Sequence, residues 1–153
     1  MRTLVLGLGN PILTDDCAGI EVLQMLKEKV RDPDVDIIEA SVGGLDLLDR
    51  IVGYDRLILI DSIQTGASPP GSILRLVPED LGTTSHLSSP HDIGFKEMIE
   101  LGKRLSYDLP SEICIYAIEV RDTGTFGELP TTDVAKAVQR LGRLILEEQF
   151  QHT

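Results

Sequence analysis

The segment Arg56-Leu57-Ile58-Leu59-Ile60-Asp61 constrains the fold more than any other part of the chain. Its aliphatic residues run consecutively, with no alternation between apolar and polar positions. A strand of this kind is buried on both faces, as parallel strands are when helices cover the sheet from either side. Thr3 to Leu8 repeats the pattern and closes on the glycine turn Gly7-Leu8-Gly9-Asn10-Pro11. Between these two runs, Val22, Leu23, Leu26 and Val30 recur at helical spacing, which predicts a helix from about Cys17 to Val30 with Asp15 or Asp16 as its N-cap. Val35 to Ala40 reads as a strand, and Gly43-Gly44 breaks the chain before a short helix over Leu45 to Val52.

After Asp61 the stretch from Gln64 to Gly71, with Gly66, Pro69, Pro70 and Gly71, is too short and broken for a helix. Ser72 to Val77 therefore returns as an antiparallel strand, and the sheet is mixed. Residues 78 to 90 form a long loop that ends at His91. A helix from about Asp92 to Leu105, a strand from Glu112 to Val120 and a last helix from Thr132 to Glu148 complete the pattern. The expected fold is α/β: a three-layer sandwich, phosphorylase/hydrolase-like, with a twisted, mostly parallel sheet of about five strands and helices on both faces. At 153 residues, without a repeat or linker, the chain is expected to form one domain over residues 1–153.

Right-handed crossovers in a β-α-β-α-β run commonly give the spatial order 2-1-3, so the loops after strands one and three open on the same crevice. Asp16 lies just past the first strand and Asp61 ends the third. The roughly 14 residue steps from Val77 to His91 allow about 46 Å of extended chain, enough to bring the imidazole to the same place. Alone, each residue has an ordinary explanation as a helix cap, a strand end or a packed side chain. Together, two carboxylates and an imidazole suit either a divalent metal or acid/base work by a carboxyl whose pKa is raised by its like-charged neighbour.

Composition narrows the partners. Lys plus Arg is 14 against 25 Asp plus Glu, a net charge of −11, which repels nucleic acid and anionic lipid. No apolar run approaches the length of a membrane span, and the start MRTLVLGLGNP lacks a signal-peptide core, so a cytoplasmic location is expected. Cys17 and Cys114 are too few for a disulfide framework or a four-thiolate site. Three alternative readings of the glycine turn each meet an objection. A dinucleotide fingerprint needs glycine where Ile12 stands, and Pro11 removes a phosphate-binding N–H. The GLGNP run resembles bacterial-type peptidyl-tRNA hydrolases, but Asp15-Asp16-Cys17 replaces their histidine segment. A Cys17 thiol with His91 as base, as in pyroglutamyl peptidases, is opposed by the two adjacent acids, which raise a thiol pKa.

Read as a unit, Leu4-Val5-Leu6-Gly7-Leu8-Gly9-Asn10-Pro11-Ile12-Leu13-Thr14-Asp15-Asp16-Cys17-Ala18-Gly19 resembles the hydrogenase maturation endopeptidases. RLILIDSI resembles that family's third strand with its metal-binding aspartate, and Ser89-Pro90-His91 resembles its histidine segment. The resemblance implies a peptidase whose substrate is the large-subunit precursor of a nickel-iron hydrogenase, from which a C-terminal extension is cut after nickel insertion. It carries the family's metal ligands onto Asp16, Asp61 and His91. Nickel would come with the substrate, and no organic cofactor is implied. Cleavage would use water attack helped by a carboxylate, in a protein expected to be a monomer. A metallochaperone carrying nickel on the same three ligands is the alternative. Some members have Glu at the Asp16 position, and a frequent Gly-Gly-Thr after strand two is replaced here by Ala40-Ser41-Val42; both differences bear on substrate preference.

Overall fold

The computed structural model describes residues 1–8, 18–40, 45–63, 66–80, 95–120 and 132–150. Five strands, β1 (Thr3–Leu8), β2 (Val35–Ala40), β3 (Arg56–Ile63), β4 (Ile73–Leu76) and β5 (Glu112–Glu119), form one sheet in the order β2-β1-β3-β5-β4. The pairs β1/β2, β1/β3 and β3/β5 are parallel, and β4 runs antiparallel to β5. The expected 2-1-3 order of the first three strands and the reversal of the fourth are both present. Four helices, α1 (Ala18–Lys29), α2 (Leu45–Ile51), α3 (Phe95–Arg104) and α4 (Thr132–Gln149), and a 3-10 turn at Pro78–Asp80 accompany them.

Two apolar cores explain the strand sequences. On one face Leu4, Leu6, Leu57, Leu59 and Ile115 pack with Leu47, Leu48 and Ile51 of α2 and with Phe95, Met98 and Ile99 of α3. On the other, Val5, Ile58, Ile60, Tyr116 and Ile118 pack with Val22, Leu23 and Leu26 of α1 and with Val134, Val138, Leu141 and Ile145 of α4. Inner strands β1 and β3 are covered on both sides, and their middle residues, Leu4 to Leu6 and Leu57 to Ile60, are apolar without alternation. β2 is an edge strand whose residues are mostly half-buried or exposed, and it tolerates Asp36 and Glu39.

β3 corrects the expected boundary. The strand does not stop at Asp61 but continues through Ser62 and Ile63, which pair with Ile118 and Glu119 of β5. Both added residues are buried, so the ladder and the core outlast the charge. At the far end of the sheet α4 is tied down by a polar cluster. The Tyr116 hydroxyl donates to Glu148 Oε1 at 3.0 Å and accepts from Gln149 Nε2 at 3.0 Å. Arg75 Nη1 pairs with Glu148 Oε2 at 2.7 Å, and Arg56 Nη1 donates to Gln149 Oε1 at 2.9 Å. These bonds extend α4 one residue past its expected end at Glu148.

Burial, reinforced by the Glu148 carboxylate, holds the Tyr116 phenol above the usual tyrosine range. The folded chain keeps this proton where an unfolded tyrosine loses it. The stabilisation is therefore complete below the unfolded value of about 10 and is lost as pH rises through the higher folded value. Denaturant midpoints measured from about pH 9 to about pH 11 should fall less steeply in Tyr116→Phe than in the wild type; parallel curves would remove Tyr116 from the account.

Candidate functional site at the carboxyl edge of the sheet

The loops that leave the parallel strands open at their carboxyl ends, where ligands bind in sheets of this type. Asp61 stands at that rim on β3. Its neighbours Leu57 and Leu59 face the α2/α3 core, and strand alternation puts Asp61 on the same face beside its register partner Ala117. Asp61 is fully buried, and its Oδ1 accepts the Ser62 N–H at 2.7 Å. An ionised carboxylate in such a place is costly unless hydrogen bonds or a cation compensate it.

The first turn of α1 is packed directly onto this rim. A Cβ added to Gly19 would lie 2.6 Å from the Leu8 carbonyl oxygen, 2.8 Å from the Ile60 carbonyl oxygen and 3.3 Å from the Asp61 Cα. Only a residue without a side chain lets the helix come so close to the ends of β1 and β3. α3 leads into β5, which is parallel to β3, so a right-handed crossover starts α3 at the same edge of the sheet, on the Asp61 face.

Of the three residues singled out by sequence, Asp61 is at the predicted edge, whereas Asp16 and His91 lie outside the described residues, as does Cys17. Among the described residues no group of three or more His, Cys, Asp or Glu side chains is positioned to hold a metal. Sequence reasoning missed Glu119. It is 1% exposed, sits two residue pairs beyond Asp61 on the neighbouring strand (Ile63 pairs with Glu119), and lies by alternation on the same face. Strand spacing and rise put the Asp61 and Glu119 Cα atoms about 8 Å apart. Glu119 Oε2 accepts the Gly66 N–H at 3.4 Å, its N–H donates to the Ser72 carbonyl and its carbonyl accepts from Gly71, so this residue holds the β3–β4 connection against the rim. The signal was available: Ile113 to Glu119 is an apolar run closed by an acid, as is Leu57 to Asp61.

The sequence profile of the HycI hydrogenase maturation proteases matches residues 20–148. The chain belongs to the hydrogenase maturation protease family. It is therefore a peptidase of hydrogenase maturation. The hydrogenase 2 maturation protease of Escherichia coli K12 is 29% identical over 120 residues, covering 77% of this chain and 73% of its own. The hydrogenase expression/formation protein HupD of Thiocapsa roseopersicina is 30% identical over 129 residues, covering 81% of this chain and 57% of its own. The solved structure of the hydrogenase maturating endopeptidase HybD from E. coli superposes with a TM-score of 0.76 at 22% identity, over 96% of this chain and 91% of that one. HycI from Thermococcus kodakarensis KOD1 gives 0.71 at 24% identity, over 95% and 90%. These solved structures share the mixed five-strand sandwich with this maturation protease. Among its described residues no helix is long and apolar enough to cross a membrane.

Proposed function

We propose that this maturation protease removes the C-terminal extension of a nickel-iron hydrogenase large-subunit precursor after nickel has been inserted, and that Asp16, Asp61 and His91 engage the nickel held by that substrate. The observation that carries the reading is the complete burial of Asp61 at the carboxyl rim, with the start of α1 pressed against its Cα. A buried carboxylate at a ligand-binding edge is well suited to meet a cation that arrives with a partner.

Chain connectivity supports the other two members. Asp16 is two residues before Ala18, the first residue of α1, and His91 is four residues before Phe95, the first of α3. Both helices start at the same rim, and four extended residues reach at most about 14 Å. Carboxylate and imidazole donors suit divalent nickel, and an incomplete set of three leaves room for ligands brought by the substrate. Nickel is part of the substrate in this reading, so cleavage becomes conditional on loading. With the precursor seated, a rim carboxylate takes a proton from the attacking water and the peptide bond is hydrolysed.

The test is to incubate purified protein with nickel-loaded precursor and follow its mobility on a denaturing gel. Shortening is expected with the wild type, while His91→Ala should leave the precursor nickel-loaded and full-length although its own fold is intact. A wild type that transfers or holds nickel without shortening the precursor would establish the chaperone alternative instead.

A further inference from the structure

A second feature at the same edge has no part in the reading so far. A cleft of about 780 Å³ opens between the start of β4 and the first turns of α4, lined by Pro70, Gly71, Ser72, Ile73, Asp133, Lys136 and Arg140. Its volume is in the range of small-ligand sites. The wall is built rather than incidental. Gly71 has φ +90°, and a Cβ there would come within 2.8 Å of the Asp133 carbonyl oxygen, so loop and helix touch through backbone alone. Arg140 Nη2 donates to the Gly71 carbonyl at 3.0 Å and so closes the loop onto the helix.

Lys136 and Arg140 are four residues apart and lie on one side of α4. Both are exposed, and against Asp133 they leave the lining net positive in a chain of net charge −11. A guanidinium has five N–H donors; that of Arg140 gives one to the Gly71 carbonyl and lines the cleft. Pro70 and Ile73 add apolar surface beside the two cations. An ammonium, a guanidinium and a small apolar patch together suit a carboxylate carried on a peptide chain.

Register fixes how far this cleft is from Asp61. Ile73 pairs with Ile118 and Ile118 pairs with Ser62, so Ile73 lies straight across the sheet from the residue that follows Asp61. Ile73 packs on the α1/α4 face whereas Asp61 is on the α2/α3 face, so a peptide crosses two strand spacings, about 10 Å, and also passes over the carboxyl rim to the other face, which takes roughly five or six extended residues. We propose that the cleft between β4 and α4 is a substrate subsite in which Lys136 and Arg140 hold a carboxylate several residues from the bond that is cut. The inference rests on the placement of the reacting peptide at Asp61. The carboxylate belongs either to an acidic side chain near the cut or to the end of the peptide chain.

Steady-state processing of nickel-loaded precursor by the full-length protein tests this. Lys136 is exposed, so its replacement should leave the melting temperature unchanged. KM should rise about threefold in Lys136→Ala and about tenfold in Lys136→Glu, with kcat unchanged, and Lys136→Arg should restore the wild-type KM. Two precursor variants identify the carboxylate: one with the acids near the cut changed to amides, the other with a Gly-Ser tail that moves the chain end away. With whichever change removes the subsite ligand, wild type and Lys136→Glu will have the same KM. Equal KM for wild type and Lys136→Glu on the unaltered precursor, or a difference that survives both precursor changes, overturns the subsite and leaves the proposed peptidase reaction standing. A wild type that does not process the precursor at all contradicts the reaction itself.

Discussion

Asp61→Asn should slow precursor processing by about a thousandfold while leaving the chain folded. Asparagine has nearly the shape of aspartate and its side-chain oxygen can still accept the Ser62 N–H, so the 2.7 Å contact survives. What disappears is the charge at the rim, and with it both the attraction for a cation and the ability to take a proton from water. Asparagine keeps the volume of this fully buried side chain, so the chain should still unfold in one cooperative thermal transition. A processing time course and a thermal melt on the same preparation check both halves. Normal processing by Asp61→Asn would refute the role assigned here.

Gly19→Ala should be among the most destabilising single-methyl additions in the chain. The new methyl meets the carbonyl oxygens of Leu8 and Ile60 at 2.6 and 2.8 Å, and these belong to paired strands that cannot move without breaking the ladder. Overpacking of this kind costs about 1–3 kcal/mol, and with backbone on the receiving side the upper end applies. Replacing glycine in a helix returns about 1 kcal/mol. The net loss of about 2 kcal/mol corresponds to roughly 4–8 °C in melting temperature. Processing should fall further than that loss explains, since relief of the contact lifts the start of α1 from the Asp61 backbone. Gly142→Ala is the control. It meets the Met25 Cε at 2.7 Å, the free end of a flexible side chain that can rotate away, so it should cost little. Equal melting losses in the two variants would show that the Gly19 contact is not special.

How much of this was legible in the sequence depended on whether the cause was local. The apolar runs at Leu4–Leu8 and Leu57–Ile60 announced covered parallel strands, and with right-handed crossovers they led to the order of β2, β1 and β3 and to Asp61 at the rim. The broken stretch before Ser72 announced the reversal of β4 for a similar reason: proline and glycine left no room for a crossover helix. Strand and helix ends were less legible. Asp61 looked like a stop because a charge interrupts an apolar run, yet pairing to β5 carries β3 two residues further. Gln149 belongs to α4 because it reaches Tyr116 and Arg56, residues far away in sequence. Glu119 carried the same local signal as Asp61 and was passed over because no neighbouring glycine turn or histidine drew it into a motif. The cleft had no sequence signature. Gly71 and Arg140 meet only because β4 doubles back beneath the start of α4. Asp16 and His91 were read from motif and spacing, and both fall outside the described residues.

The central claim is that a rim built around Asp61 reads nickel on the substrate before the peptide bond is cut. It is tested most directly by giving the purified protein two preparations of one precursor, nickel-loaded and metal-free, and measuring the fraction shortened over time. The account predicts that only the loaded precursor is shortened, with the metal-free form untouched until nickel is supplied to it. Cleavage of both forms at the same rate would contradict it.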